Sequence, residues 1–172
     1  MQLIVVIVGV SLLTTTLIGG IFIYNMIKTS DEGLAVYQTE LRANVEHQLK
    51  MEVQTAVAVA EGYYKKQQAG ELTPDQARKE AADRIRDMRY DDGNGYFAVD
   101  TYDGVNVVLL GRDTEGKSRI NSVDPNGKHF IQEMIANGKK ESGGKTELMS
   151  AKPNTTEPLP KLNYSVAFAP YQ

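Results

Sequence analysis

Residues 96–110 read YFAVDTYDGVNVVLL, and the reading of this stretch decides the fold. Two runs rich in β-branched and aromatic residues, 96–101 and 105–110, flank the turn Tyr102-Asp103-Gly104. An Asp-Gly pair between such runs marks a β-hairpin, because glycine takes a positive φ without a Cβ clash. Upstream the apolar period is different. Leu34, Tyr37, Leu41, Val45, Leu49, Val53, Ala56, Ala60 and Tyr63 recur every three or four residues, which lays them along one stripe of a long amphipathic helix. Helices first and strands afterwards indicate an α+β domain.

The punctuation between these runs is equally readable. Thr73-Pro74-Asp75-Gln76 combines an N-cap threonine, a proline at the first helical position and a glutamine three residues after the cap, which predicts a second helix over 74–88. Asp91-Asp92-Gly93-Asn94-Gly95 ends it in a turn. Asp124-Pro125-Asn126-Gly127 is another turn, followed by a short helix over 128–137 carrying Phe130, Ile131, Met134 and Ile135 at helical spacing. Gly143-Gly144 closes it. Two further strands are expected near 145–150 and 162–169, separated by a Pro-rich loop over 152–161. The long stripe serves the core of its own domain, and part of it is available as a dimer seam, since it is longer than a small sheet can cover.

A chain of 172 residues has room for one domain. Its 19 basic and 22 acidic residues, for a net charge of -3, argue against a nucleic-acid partner, which favours a basic face. The absence of cysteine removes disulfides and thiolate metal sites and suits an oxidising location. Residues 3–27, LIVVIVGVSLLTTTLIGGIFIYNMI, carry no charge. About 20 apolar residues span a bilayer core, so this segment is expected to be a transmembrane anchor, with Tyr24 and Lys28 at headgroup level. A cleaved signal peptide is the alternative, but the run is longer than such peptides use and lacks a small-x-small cleavage site. Charge does not decide the topology, since no Lys or Arg precedes the segment.

Catalytic readings find no support. His47 and His129 have no partner at metal-ligand spacing such as HExxH. The glycines at 93 and 95 lack the Lys-Ser/Thr of a phosphate loop, no nucleophile elbow is present, and Asp91-Asp92-Gly93-Asn94 lacks the terminal glutamate of a calcium loop. Neither a cofactor nor a metal is expected, and the chain reads as a binding module, not an enzyme.

Arg89-Tyr90, Gly95-Tyr96-Phe97, Asp103-Gly104-Val105, Gly116-Lys117, Asp124-Pro125-Asn126-Gly127-Lys128, Lys152-Pro153, Pro160-Lys161, Tyr164 and Pro170 occur in one order at near-fixed spacing. Together they resemble the single Cache domain of bacterial methyl-accepting chemotaxis proteins and related transducers, over residues 34–172. The resemblance implies a PAS-like antiparallel sheet packed on the long N-terminal helix, held outside the cytoplasmic membrane between two transmembrane helices. It also implies that the domain, expected over 30–172, is truncated at its C-terminal end, with signalling regions following. Ligands of such domains are typically small carboxylates such as acetate, propionate, pyruvate or lactate, with urea or amines in some branches. The function implied is that of a chemoreceptor's ligand-binding sensor, working as a homodimer through the long helix. A ligand-free tethered interaction module, or the input domain of a histidine kinase or cyclic-nucleotide enzyme, remains open. Two departures bear on the pocket walls. Leu109-Leu110 stands where many members have His-Pro, and Leu148, Met149, Ser150 and Ala151 stand where many have aromatic residues.

The resemblance and the residue chemistry together nominate a site. Arginine binds a carboxylate with a planar fork, which makes Arg89 a candidate clamp, or else a surface partner of Asp87, Asp91 or Asp92. Tyr96 and Tyr164 each offer an aromatic wall and one hydroxyl, unless they are plain core residues. Lys161 reaches a ligand carboxylate or remains a solvated loop lysine. Asp100, Asn106 and Tyr90 complete the set. Asp100, if it faces the pocket, favours an amine over a second carboxylate. Leu109, Leu148 and Met149 would fill a collapsed pocket.

Overall fold

The computed structural model describes residues 2–151 and 155–171, with side chains from Thr16 onward. It divides into two units, residues 1–45 and 46–172. α1 (Gln2–Gln68) provides all of the first unit described and the opening element of the second. The apolar stripe changes character along this helix. Leu34 and Tyr37 are 56% and 60% exposed, whereas Ala56 and Ala60 are buried, so only the later part of the stripe packs on its own domain. The expected membrane segment 3–27 is helical, and its first half lies outside the described side chains. Among the described residues no helix is long and apolar enough to cross a membrane.

α2 (Pro74–Asp87) begins as the sequence predicts. The Thr73 hydroxyl accepts from the Gln76 N–H at 3.3 Å and the Gln76 side chain accepts from the Thr73 N–H at 2.9 Å, which satisfies two donors that a helix start leaves open. Its buried residues Ala77, Ala81 and Ile85 repeat every four positions. They feed a core in which Ala56, Ala60, Ile85, Phe97 and Val108 are buried together, edged by Tyr90, Val99, Phe168 and Tyr171. Tyr64, Phe168 and Tyr171 meet edge to face at 5.3–6.1 Å, which fixes the 3₁₀ turn Ala169–Tyr171 against α1.

Among the described residues the strands form three two-stranded antiparallel ladders, not one sheet. β1 (Arg89–Tyr90) pairs with β2 (Gly95–Tyr96) around a 3₁₀ turn, Asp91–Gly93. Gly95 is required there, since a Cβ would lie 2.2 Å from the Tyr90 ring. The run 96–101, expected as one strand, is broken at Phe97, which leaves the ladder to enter the core at 7% exposure. β3 (Ala98–Asp100) then pairs with β4 (Asn106–Leu109) across the predicted hairpin, with a bulge between Val99 and Asp100. β4 gives way to a turn at Leu110, whose φ of 58° is strained for a branched residue. The Glu115 carboxylate holds it there, accepting from the N–H of Leu109 at 2.5 Å and of Gly111 at 2.9 Å. Arg86 on α2 donates to the same carboxylate at 2.9 Å. Burial opposes charge on Glu115, but those N–H groups and the guanidinium outweigh it and hold its carboxyl below the usual range.

α3 (Phe130–Gly138) buries Ile131 completely and lies against β5 (Gly144–Ala151) and β6 (Pro158–Ser165). The Asn137 amide donates to the Lys145 carbonyl at 2.6 Å and to the Thr146 hydroxyl at 2.9 Å, which seals this junction. β6 corrects the sequence expectation by starting at Pro158, inside the stretch taken for a Pro-rich loop, and ending at Ser165. Residues 152–154 of that stretch, with Lys152-Pro153, lie outside the described residues. The prolines are compatible with a strand because of their register. Pro160 faces Met149, whose N–H turns away from the ladder to the Asp124 carboxylate at 3.0 Å. Pro160, and Pro158 two positions earlier, therefore occupy places whose nitrogens also point away from β5.

Asp124 ties the Asp-Pro-Asn-Gly turn to this strand. Besides Met149 it accepts from the N–H groups of Lys128 and Asn126, both at 2.9 Å. The Met149 and Lys128 N–H groups hold its carboxyl below the ordinary value of 3.8, against the opposing effect of burial. Because the folded value is the lower one, the contribution to stability is complete above pH 3.8 and is lost as pH falls through the folded value. Asp124→Asn is expected to lower the neutral plateau while leaving stability at the acid end less affected, so that the acid limb of stability against pH flattens, as read by chemical denaturation between pH 2 and 7.

Candidate functional site

β6 alternates its side chains between two faces. Register places Lys161 beside Leu148 and Asn163 beside Thr146, on the face that meets α3. Leu148 and Thr146 are buried there, and the Asn163 amide lies 3.7 Å from the sulfur of Met134 on α3. Lys161 leaves this face toward β2. Its Nζ donates to the Tyr96 hydroxyl at 2.8 Å and lies 4.4 Å from the ring centroid, so it sits at the oxygen end of the ring. Hydrogen bonding, more than the ring face, defines this contact.

The direction of that bond sets the chemistry. The tyrosine oxygen accepts from the ammonium, which leaves its own O–H free to donate elsewhere. The ammonium keeps two further donors. Among the described residues no carboxylate pairs with Lys161. The pair is a compact cationic arrangement of donors with no acidic acceptor assigned to it.

The other nominated residues make different contacts, although register sets Arg89 directly opposite Tyr96. Arg89 is exposed, and its Nη1 donates to the carbonyls of Arg86 and Met88, both at 2.7 Å, so it closes the C-terminal end of α2. Among the described residues it forms no ion pair with Asp87, Asp91 or Asp92. Tyr90 is half-buried and packs on Phe97 with centroids 5.3 Å apart, and burial, then the charge of Glu52, raises its phenol above the ordinary range. Tyr164 falls three residues from Lys161 and so on the opposite face of β6, where its hydroxyl donates to the Ser142 carbonyl at 2.7 Å. Asp100 is held by Arg119 through two bonds of 2.6 and 2.5 Å, with the two side chains 10% and 14% exposed. An acid already neutralised in this way is not an amine receptor.

Asn106 is fully buried and also structural. Its amide nitrogen lies 3.1–3.2 Å from Val99 O, Asp100 Oδ1 and Val108 O, and its oxygen accepts from Thr114. Of the side chains expected to fill a collapsed pocket, Leu109 and Leu148 are each 8% exposed, and Met149 is on the face opposite Leu148. Thr146 and Asn163 were not nominated, although counting by twos along β6 from Lys161 reaches Asn163 directly. Arg119 was missed as well, and nothing periodic in its irregular surroundings points to Asp100.

Comparisons with known proteins bear on this geometry. Residues 41–172 match the family described as Single Cache domain 2. The methyl-accepting chemotaxis protein McpP of Pseudomonas putida is 28% identical over 123 residues, which is 69% of this chain. The chain spans only 22% of that relative's length. A solved periplasmic sensor domain of a chemotaxis protein superposes with a TM-score of 0.71 at 26% identity, covering 75% of this chain and 90% of its own. A Cache chemosensory domain, solved to explain carboxylic acid recognition, gives a TM-score of 0.72 at 26% identity and covers 77% of this chain and 90% of its own. A methyl-accepting chemotaxis protein from Vibrio parahaemolyticus shares the fold, with a TM-score of 0.66 at 23% identity over 76% of this chain and 84% of its own.

The assignment of Asp100 is directly testable. Asp100→Ala leaves the largely buried Arg119 guanidinium uncompensated and is expected to destabilise the fold by about 3–5 kcal/mol in urea denaturation, whereas adding Arg119→Met recovers the part due to the unpaired guanidinium and not the part due to the acceptor lost by Asn106.

Proposed function

The chain belongs to the single Cache domain 2 family over residues 41–172, and on that premise we propose that it is the ligand-binding sensor domain of a transmembrane chemoreceptor. Its ligand is a short carboxylate. The observation that carries this reading is the Lys161–Tyr96 pair, whose remaining N–H and O–H groups match the two acceptor oxygens of a carboxylate and which has no acidic partner among the described residues. The structural similarity to a Cache domain studied for carboxylic acid recognition supports the same class.

The remaining architecture follows from this role. Residues 3–27 anchor the chain in the cytoplasmic membrane, with the sensor unit outside, in keeping with the periplasmic domain it resembles. The exposed stripe Leu34, Tyr37, Leu41 and Val45 forms the seam of a homodimer, because four apolar side chains on one face of a helix favour a matching face. A ligand then acts by its differential affinity for two arrangements of that dimer.

Thermal-shift and calorimetric titration of acetate, propionate, pyruvate and lactate provide the test. At least one is expected to stabilise the chain at concentrations on the order of millimolar or below. Lys161→Met is expected to abolish the effect, and Tyr96→Phe to weaken binding about tenfold through loss of one donor to a charged acceptor. Stabilisation that survives Lys161→Met would remove the pair from the ligand site, and silence toward all four acids would remove the carboxylate class.

A further inference from the structure

Away from β6, the sensor unit carries an open groove of about 400 Å³ between α1 and α2. Val59, Gly62, Tyr63 and Lys66 lie at three- and four-residue spacing on α1, and Arg84 and Met88, four apart, close the groove on the other side. None of these residues belongs to the Lys161–Tyr96 pair or its face. The walls are apolar, through Val59, Met88 and the ring of Tyr63, and Gly62 leaves its floor open, since an added Cβ would meet nothing within 4 Å. The polar contribution is cationic. Lys66 Nζ stands 5.1 Å above the Tyr63 ring, and among the described residues neither Lys66 nor Arg84 is paired with a carboxylate.

From this combination we infer that the α1–α2 groove is a second binding site, for an organic monoanion with an apolar body. The two cations favour an anionic head, in a chain whose net charge of -3 otherwise repels one. The walls exclude a bare inorganic anion, because valine, methionine and the tyrosine ring offer it nothing in exchange for its water. The volume falls within the range of small-molecule sites, roughly 300–1,000 Å³, and exceeds what acetate fills. Occupancy bridges α1 to the end of α2, where Arg89 holds the last carbonyls, so it bears on the helix that leads into β1.

The methionines separate this site from the proposed carboxylate site. Met88 lines the groove, while Met134 lies beside Asn163 on the β6 face. In the full chain, in nonionic detergent and labelled at the methionine methyls, phenylacetate is expected to shift the Met88 signal saturably. The neutral phenylacetamide is expected to bind about tenfold more weakly, as is phenylacetate to Arg84→Gln. Gly62→Leu fills the groove at a helical position where leucine is preferred to glycine, so it is expected to abolish the Met88 response in a folded protein. A Met88 signal unmoved at about 10 mM phenylacetate, or moved equally by the amide, overturns the inference. So does a Met88 signal that depends on protein concentration alone, which would place a second copy in the groove. A Met134 response to acetate alongside a silent Met88 would leave the sensor reading standing and remove this site.

Discussion

A single buried amide sets the terms for the β-structure of this domain. Asn106 is wholly inaccessible at the start of β4, so each of its polar atoms must be satisfied by protein. Its side chain reaches β3 through the Val99 carbonyl and Asp100, and the following loop through Thr114, while its backbone N–H donates to Lys117 O and its carbonyl accepts from Gly116 N. Two amide hydrogens are shared among three acceptors, so the arrangement tolerates little displacement. Losing one such partner costs about 1–3 kcal/mol, which makes the hairpin and the loop over 110–119 one unit.

Around that unit, charges are used to fix backbone more than to display themselves. Glu115 grips both sides of the strained Leu110 and receives Arg86 from α2. Asp124 binds its own turn and β5 together, Arg89 closes a helix end, and Arg119 neutralises Asp100. Against this background Lys161 is unusual. It is a half-buried cation whose contact is a neutral hydroxyl, and the functional reading rests on that contrast.

How much of this was legible in the sequence depended on the range of the interaction. The capping box at Thr73 and the hairpin at Gly104 are local, and both were read correctly. The break at Phe97 was not, because a tyrosine-phenylalanine pair looks like continuous strand until the core claims one ring. Pro158 and Pro160 read as loop, since proline is compatible with a ladder only at positions that register alone reveals. In the candidate site, Lys161 and Tyr96 were both named and do meet, whereas Tyr164 was grouped with them although a separation of three puts it on the other face. Asp100 and Arg119 are 19 residues apart with no periodic relation, so only the folded chain shows them as a pair.

The prolines of β6 have one more consequence. A two-stranded ladder leaves each strand one edge open, and open edges invite pairing with other chains. Along the first half of β6 the groups that would donate outward are those of Pro158 and Pro160, which have no N–H. That edge cannot template a foreign strand from its beginning. Copies of the chain are thereby kept from pairing edge to edge through the first half of β6.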